Sequence, residues 1–325
     1  MIASLQPHLE TAAHFLGEGD DFLLTSHVGC DGDGIGGCLA LARVLTRMGK
    51  RISVVLPDEP DPHYGFLAGF AAIRAVEQVP ASPAGRLVVF DAPDLGRIGA
   101  VADRIGPETR VLNLDHHPDN QRFGAVNLVS DEVSSTCEMV YHLLVAMNQE
   151  IDAEVATALY AGILFDTGGF RFSLTTPTTF EVAAALVRRG VHLDRVADRV
   201  FGQKTLAELQ QLGRAIDTLG LHFGGRVAVM HLTHADMAAG DPEEVVNYGL
   251  LVEGVEVSAL IREPEPGHQR VSLRSRERLD VSKIAARFGG GGHYRASGYR
   301  FAGTREAAEE QLLAALGQQL SEGFG

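Results

Sequence analysis

The fold of this chain is most constrained by a recurring pattern in which short apolar runs end in an acidic residue. Val111–Leu114 leads into Asp115-His116-His117, Phe22–Ser26 into His27-Val28-Gly29-Cys30-Asp31-Gly32-Asp33, and Arg86–Phe90 into Asp91. Leu159–Phe165 precedes Asp166 in the same way, although the longer Ala153–Phe165 pattern fits a helix. Short runs rich in Val, Leu and Ile read as strands. Arg51–Leu56 and Ala125–Val129 are further examples, and helical patterns at Ile35–Met48 and Ser134–Met147 alternate with them. The alternation predicts a doubly wound, mainly parallel α/β sheet. Adjacent strands of an open parallel sheet bring their carboxyl ends to one rim, where such folds carry their sites. Two histidines and four aspartates on that rim could hold two divalent metals, so a two-metal hydrolase is the first expectation.

A chain of 325 residues exceeds one typical core and predicts two domains. The first would cover 1–190, closing with a helix that Thr176 caps and Pro177 starts. A helical connector at 191–219 would follow. Residues 220–325 would form a smaller mixed α/β domain. There Leu221–Phe223 and Arg226–Leu232 flank the turn signal Gly224-Gly225. Val255–Arg262 and Arg270–Arg274 flank Glu263–His268, and Asp280–Phe288 reads as a short helix. A glycine-rich loop, Gly289–His293, a strand at Tyr299–Phe301 and a closing helix, Arg305–Leu320, complete the domain.

The net charge of −14 argues against tight, non-specific binding of long duplex nucleic acid. A short phosphorylated substrate remains compatible with it, because 262–300 holds nine basic residues against four acidic ones. Cys30, Cys38 and Cys137 form no disulfide framework or CxxC pattern, which points to a reducing compartment. With no apolar run approaching a membrane span, no membrane association and a cytoplasmic location are expected.

The His27/Asp31/Asp33 cluster offers carboxylates two residues apart, which Gly32 in an extended or turning backbone would let point at neighbouring cations. Oxygen ligands with a few imidazoles suit Mn2+ or Mg2+, with Zn2+ or Fe2+ as further choices. Asp91 either bridges two cations or caps the next segment, and Asp94 competes for the same role. In Asp115-His116-His117 one imidazole could ligate while the next faces a phosphate, with Asp115 fixing a tautomer. Gly290, Gly291 and Gly292 could form an anion-binding concavity with His293 as donor. Arg274 and Arg276, two apart on a strand, would share a face and grip phosphate. Ser135, within Ser134-Ser135-Thr136, either contacts substrate or caps the following helix with Glu138. Phe170 and Phe172 either stack on bases or pack in the core.

Together the motifs His27–Asp33, Asp91, Asp115-His116-His117, Asp166 and Gly289–His293 resemble the DHH/DHHA1 phosphoesterase superfamily, in this order and over nearly the whole chain. The resemblance implies that His27 and Asp31 hold one metal, Asp33 and His116 the other, with Asp91 and Asp166 bridging or shared. It implies two Mn2+ ions or similar cations, in-line attack on phosphorus by a hydroxide they activate, and His117 facing the scissile phosphate. Arg274 and His293 would bind the far end of the substrate. The compact length and the run Asp166–Phe172 followed by Thr175-Thr176-Pro177 look most like the nanoRNase/pAp-phosphatase branch. That branch acts on short single-stranded RNA or DNA oligonucleotides, linear dinucleotides and pAp, in RNA degradation and cyclic-dinucleotide turnover. A minimal RecJ-like exonuclease and a nucleotide-sensing binding protein are the alternatives. A homodimer through the first domain is implied by resemblance alone. Cys30 and Ser297 depart from residues common in the family, and neither is a ligand by this reading.

Overall fold

The computed structural model describes residues 5–202, 204–276 and 279–322. The chain forms two compact units, Met1–Gln203 and Lys204–Gly325.

The first unit is built on β1 (Asp21–Thr25), β2 (Arg51–Leu56), β3 (Arg74–Ala75), β4 (Arg86–Phe90), β5 (Arg110–Asp115) and β6 (Val126–Val129). These pair in the order β3-β2-β1-β4-β5-β6, every pair parallel. Six helices accompany them: α1 (Gln6–Glu18), α2 (Gly32–Arg47), α3 (Thr136–Ala146), α4 (Ala153–Asp166), α5 (Pro177–Val187) and α6 (Leu193–Ala197). Successive strand residues point to opposite faces. Val88, Phe90, Leu112 and Leu114 therefore join the large core under α1–α5, while Leu87, Val89 and Val111 join a smaller one on the other face. A 3-10 segment, Leu95–Arg104, kinked at Gly99, covers that second face between β4 and β5.

One local start differs from the sequence reading, and it bears on the site. The helix expected from Ile35 begins at Gly32, because Asp31 caps it by accepting from the Asp33 and Gly34 N–H groups at 2.9 and 3.4 Å. Asp33 therefore sits in a helical first turn rather than in extended backbone. Asp166 is the last residue of α4, in agreement with the helical pattern of Ala153–Phe165, so it follows a helix where the other acids follow strands. The N-terminal helix α1 and the two-residue β3 were not anticipated.

The second unit carries β7 (Gly220–His222), β8 (Val227–Leu232), β9 (Val257–Glu265), β10 (His268–Ser275), β11 (Gly291–His293) and β12 (Ala296–Ala302). The order is β11-β12-β10-β9-β8-β7, and β8–β9 is the one parallel pair among this unit's described strands. Its helices are α7 (Leu206–Asp217), α8 (Val246–Gly249), α9 (Val281–Arg287) and α10 (Arg305–Glu322). The 191–219 stretch is broken into α6, a π-helical turn at Asp198–Gly202 and α7. Half of the expected glycine loop is strand: β11 pairs with β12, and a Cβ on Gly290 would meet the Gly298 carbonyl at 2.2 Å. Arg276 lies beyond the end of β10, so it does not share a strand face with Arg274.

Helices α2 and α4 pack through glycines, and this contact fixes one carboxylate. A Cβ on Gly162 would stand 2.4 Å from Cys137 Sγ and 2.7 Å from Asp33 Oδ1. Neither neighbour has room to retreat, since both are fully buried. Gly162→Ala is expected to cost about 1–3 kcal/mol by overpacking and to weaken divalent-cation binding. Urea titration and calorimetric metal titration would check this, and a variant with unchanged stability and affinity would show that α4 can shift freely.

Candidate metal centre

The ends of β1, β4 and β5, adjacent in the sheet, deliver His27, Asp91 and Asp115–His117, while the start of α2 delivers Asp31 and Asp33 and the end of α4 delivers Asp166. Three sets of donor atoms result, each within 4.8 Å of one another: His27, Asp31 and Asp91; Asp33, His116 and Asp166; and Asp91, His116 and His117. Asp91 is common to two sets. His27 Nε2 lies 3.4 Å from Asp91 Oδ2 and 3.8 Å from Asp31 Oδ2, while His116 Nε2 lies 3.4 Å from Asp91 Oδ1 and 3.1 Å from Asp166 Oδ2. Asp166 joins Asp33 and His116 and no other set among the described residues.

Each donor is aimed by a neighbour. His27 Nδ1 donates to the Val28 carbonyl at 3.0 Å, which turns Nε2 toward the carboxylates. Asp33 accepts from the first two N–H groups of α3, Thr136 at 2.6 Å and Cys137 at 2.8 Å. A helix N-terminus favours a negative group in this position. Thr136 Oγ1 also donates to Asp91 Oδ1 at 3.3 Å. Asp91 itself has φ of +54°, a left-handed conformation sparsely used outside glycine. Its N–H donates to the Leu114 carbonyl, 2.9 Å away across the sheet. His117 Nδ1 meets Asp115 Oδ1 at 2.7 Å, and Asn120 Nδ2 donates to Asp115 Oδ2 at 2.6 Å. Sequence reasoning missed Thr136, Cys137 and Asn120 as supports, because backbone N–H groups and an amide five positions from a strand end carry no distinctive spacing.

The electrostatics fit cations. None of Asp31, Asp33, Asp91 and Asp166 pairs with a lysine or arginine among the described residues. Burial and the neighbouring Asp91 push Asp33 up to about 6. Burial and Asp33 likewise hold Asp166 well above the usual carboxylate range. Burial alone would depress His27, but Asp31 and Asp91 outweigh it and hold the imidazole well above its ordinary value. His116 is held up against burial by Asp166 and Asp91 in the same manner. Burial would raise Asp91, yet His116 and His27 beside it carry it well below the ordinary range. Protons shared among imidazoles and carboxylates thus supply the positive charge that divalent cations are suited to provide.

Other candidates fall elsewhere. Asp94 caps the 3-10 segment by accepting from Arg97 N–H. Cys30 belongs to no donor set among the described residues. Of the two readings of Ser135, the structure shows the cap and not a surface open to substrate: it is fully buried and its Oγ accepts from Glu138 N–H at 3.0 Å, capping α3. Glu138 in turn accepts from Ser134 and from Thr179 Oγ1, 2.9 Å away, rather than closing a capping box on Ser135. Phe170 stacks on Phe180 with centroids 5.3 Å apart and packs on the core, whereas Phe172 is 49% exposed. Within the second unit Arg274 and His293 are both register partners of Ala296, so they face the same side of the sheet. Two strand spacings separate them by about 10 Å. The exposed Arg276 turns its guanidinium to the Leu250 carbonyl, and Ser297 spends its hydroxyl on the Val281 carbonyl at 2.7 Å.

Comparison with known proteins agrees with this geometry. The N-terminal domain of the DHH family matches residues 21–163, and the DHHA1 domain matches 224–322. The chain is 36% identical over 307 residues to the bifunctional oligoribonuclease and PAP phosphatase NrnA of Thermus thermophilus, covering 94% of this chain and 91% of that one. An exopolyphosphatase-related protein from Bacteroides fragilis superposes with a TM-score of 0.92 at 26% identity, over 98% of each chain. RecJ from Thermus thermophilus, solved with Mn2+, shares the fold at a TM-score of 0.57 and 16% identity, over 96% of this chain and 55% of that one.

The raised Asp33 sets a pH dependence. A carboxylate near 6 when folded and near 3.9 when unfolded stabilises the fold at low pH and loses that contribution as pH rises through about 6. In chelated protein, Asp33→Asn should therefore gain on wild type by up to about 3 kcal/mol between roughly pH 4 and pH 7. Saturating divalent cation should reverse the sign, because metal binding requires the deprotonated form. Urea unfolding of both proteins across that range reads the difference, and parallel curves with and without cation would contradict it.

Proposed function

The chain belongs to the DHH family, with a DHHA1 domain in its second unit, and from that premise we propose that it hydrolyses very short oligonucleotides to mononucleotides and dephosphorylates pAp to AMP. The observation that carries this reading is the convergence of three donor sets on one rim, two of them sharing Asp91 and two sharing His116, with His117 at their edge. The cations would be Mn2+ in the first instance. His27, Asp31 and Asp91 would hold one, and Asp33, His116, Asp166 and Asp91 the other. When bound, they would supply Lewis acidity that lowers the pKa of water and stabilises charge on phosphoryl oxygens.

The remaining roles belong to side chains. Asp115 holds the Nδ1–H of His117, so Nε2 is the atom that gives or takes a proton. Burial works against the His117 proton, and Asp115 and Asp91 outweigh it, keeping the imidazole above its ordinary value. A protonated Nε2 suits delivery of a proton to the departing oxygen. Asn120, bonded to Asp115 and to Asn113 Oδ1 at 2.8 Å, keeps that carboxylate from rotating. In the second unit Arg274 and His293, sharing a sheet face beside Gly290–Gly292, would bind the phosphate farthest from the cleaved bond. Three free cysteines suit a reducing cytoplasm. No helix among the described residues is long and apolar enough to cross a membrane.

A Mn2+-supplemented panel of pAp, pGpG, a five-mer, a long single strand and pyrophosphate tests the proposal. Turnover of pAp and the short oligonucleotides with little on the long strand or pyrophosphate is expected. Sustained rates on the long strand would move the assignment to a RecJ-like exonuclease. Asp33→Ala and His116→Ala should each remove most activity, by about a thousandfold. Asp115→Asn should cost about 10–100-fold, the range typical of a partner that orients a ligand or acid. It should also move the alkaline limb of the pH–rate profile to lower pH, because the group holding the proton on His117 is lost. An unmoved limb would remove His117 from proton transfer.

A further inference from the structure

Outside the metal centre, the first unit carries a cavity of about 390 Å³ lined by Phe66, Thr157, His192, Arg195, Asp198 and Arg199. Arg195 and Arg199 stand one helical turn apart, and neither makes an ion pair with a carboxylate among the described residues. In a chain of net charge −14, the lining of this cavity sets two arginines and a histidine against one carboxylate, Asp198. Aromatic surface follows in the same turn, two residues after Arg199. Phe201, 38% exposed, packs over Gly169, and Phe172, 49% exposed, packs against Gly168, both on the loop that leaves Asp166. Arginines that track a backbone and exposed rings on which bases stack are the two components of a sequence-tolerant single-strand platform.

The position gives the platform a length scale. Thr157 lies nine residues before Asp166 on α4, which is about 13 Å at 1.5 Å per residue. At roughly 3.4 Å per stacked nucleotide that distance spans about four nucleotides. We infer that Arg195 and Arg199, with Phe172 and Phe201, form a subsite for the phosphates and bases of an oligonucleotide that lie beyond the cleaved end. This inference rests on the oligonucleotide reading of the metal centre and adds to it a device for substrate length. pAp and dinucleotides are too short to reach the arginines, whereas a five-mer reaches them.

The test compares the full-length Arg195→Ala, Arg199→Ala double variant with wild type. For a five-mer, kcat/KM should fall about tenfold, while the value for pAp changes less than twofold. The slope of log KM for the five-mer against log salt should become shallower by about 1.4, at ~0.7 for each lost single-strand phosphate contact. The corresponding lysine variants should recover most of the loss. Binding of a labelled five-mer to Asp33→Asn protein, which needs no turnover, should weaken by the same factor when both arginines are removed. Equal losses on pAp and five-mer, or unchanged five-mer binding and salt slope, would overturn the inference. Absence of turnover in wild type with arginine-dependent five-mer binding would overturn the hydrolytic reading and leave the subsite standing.

Discussion

Four carboxylates, Asp31, Asp33, Asp91 and Asp166, converge at one rim without a lysine or arginine to neutralise them among the described residues, and much of the first unit is arranged around that repulsion. Burying an unpaired carboxylate is costly, so such groups take up protons, accept hydrogen bonds or bind metal. All three responses are available here. Asp33 is shifted up to about 6, both its oxygens accept N–H donors from α3, and three imidazoles stand within reach of the cluster. The strain extends to the backbone at Asp91, whose positive φ places its carboxylate between His27 on one side and His116 on the other. Strained backbone at a site persists where the surroundings over-determine it. The β4–β5 pairing and the buried core beneath supply that surrounding.

The support is spread across elements distant in sequence, and this is why the site behaves as one unit. The start of α3 holds Asp33, a glycine of α4 leaves it space, and α4 ends in Asp166. On the other edge Asn120 holds Asp115, and Asp115 holds His117. A change to any of these supports acts on the cluster through packing or hydrogen bonds rather than through loss of a donor. Within the second unit, Arg274 and His293 stand opposite the same residue of β12. Glycines beside them are required by the close approach of β11 to β12 as much as by any ligand.

Much of this was legible in the sequence. The strands β1, β2, β4, β5 and β6 follow from apolar runs, and the acids at their ends follow from the rule that parallel sheets carry sites at that rim. The order of the motifs carries the resemblance to the superfamily. An Asp-Gly pair suggests an extended or turning backbone at Asp33, but the cap provided by Asp31 starts the helix earlier. The run before Asp166 satisfied strand and helix patterns equally, since a buried helix has no polar face to reveal its period. Helix α1 was readable, with Leu5, Leu9, Ala12, Phe15 and Leu16 buried at helical spacing, and it went unread beside the stronger motifs. Ser135 and Arg276 were over-read because a hydroxyl or guanidinium near a site in sequence carries no information about the partner that satisfies it.

If the donor sets hold two cations, Asp91 would be the carboxylate common to both. Titration of the metal-free protein with Mn2+, followed by electron paramagnetic resonance, tests it most directly. Two ions per chain with an exchange-coupled spectrum are expected, and Asp91→Ala should abolish the coupling and at least one of the two binding events. A single ion at saturation, or two that remain magnetically independent, would contradict the account.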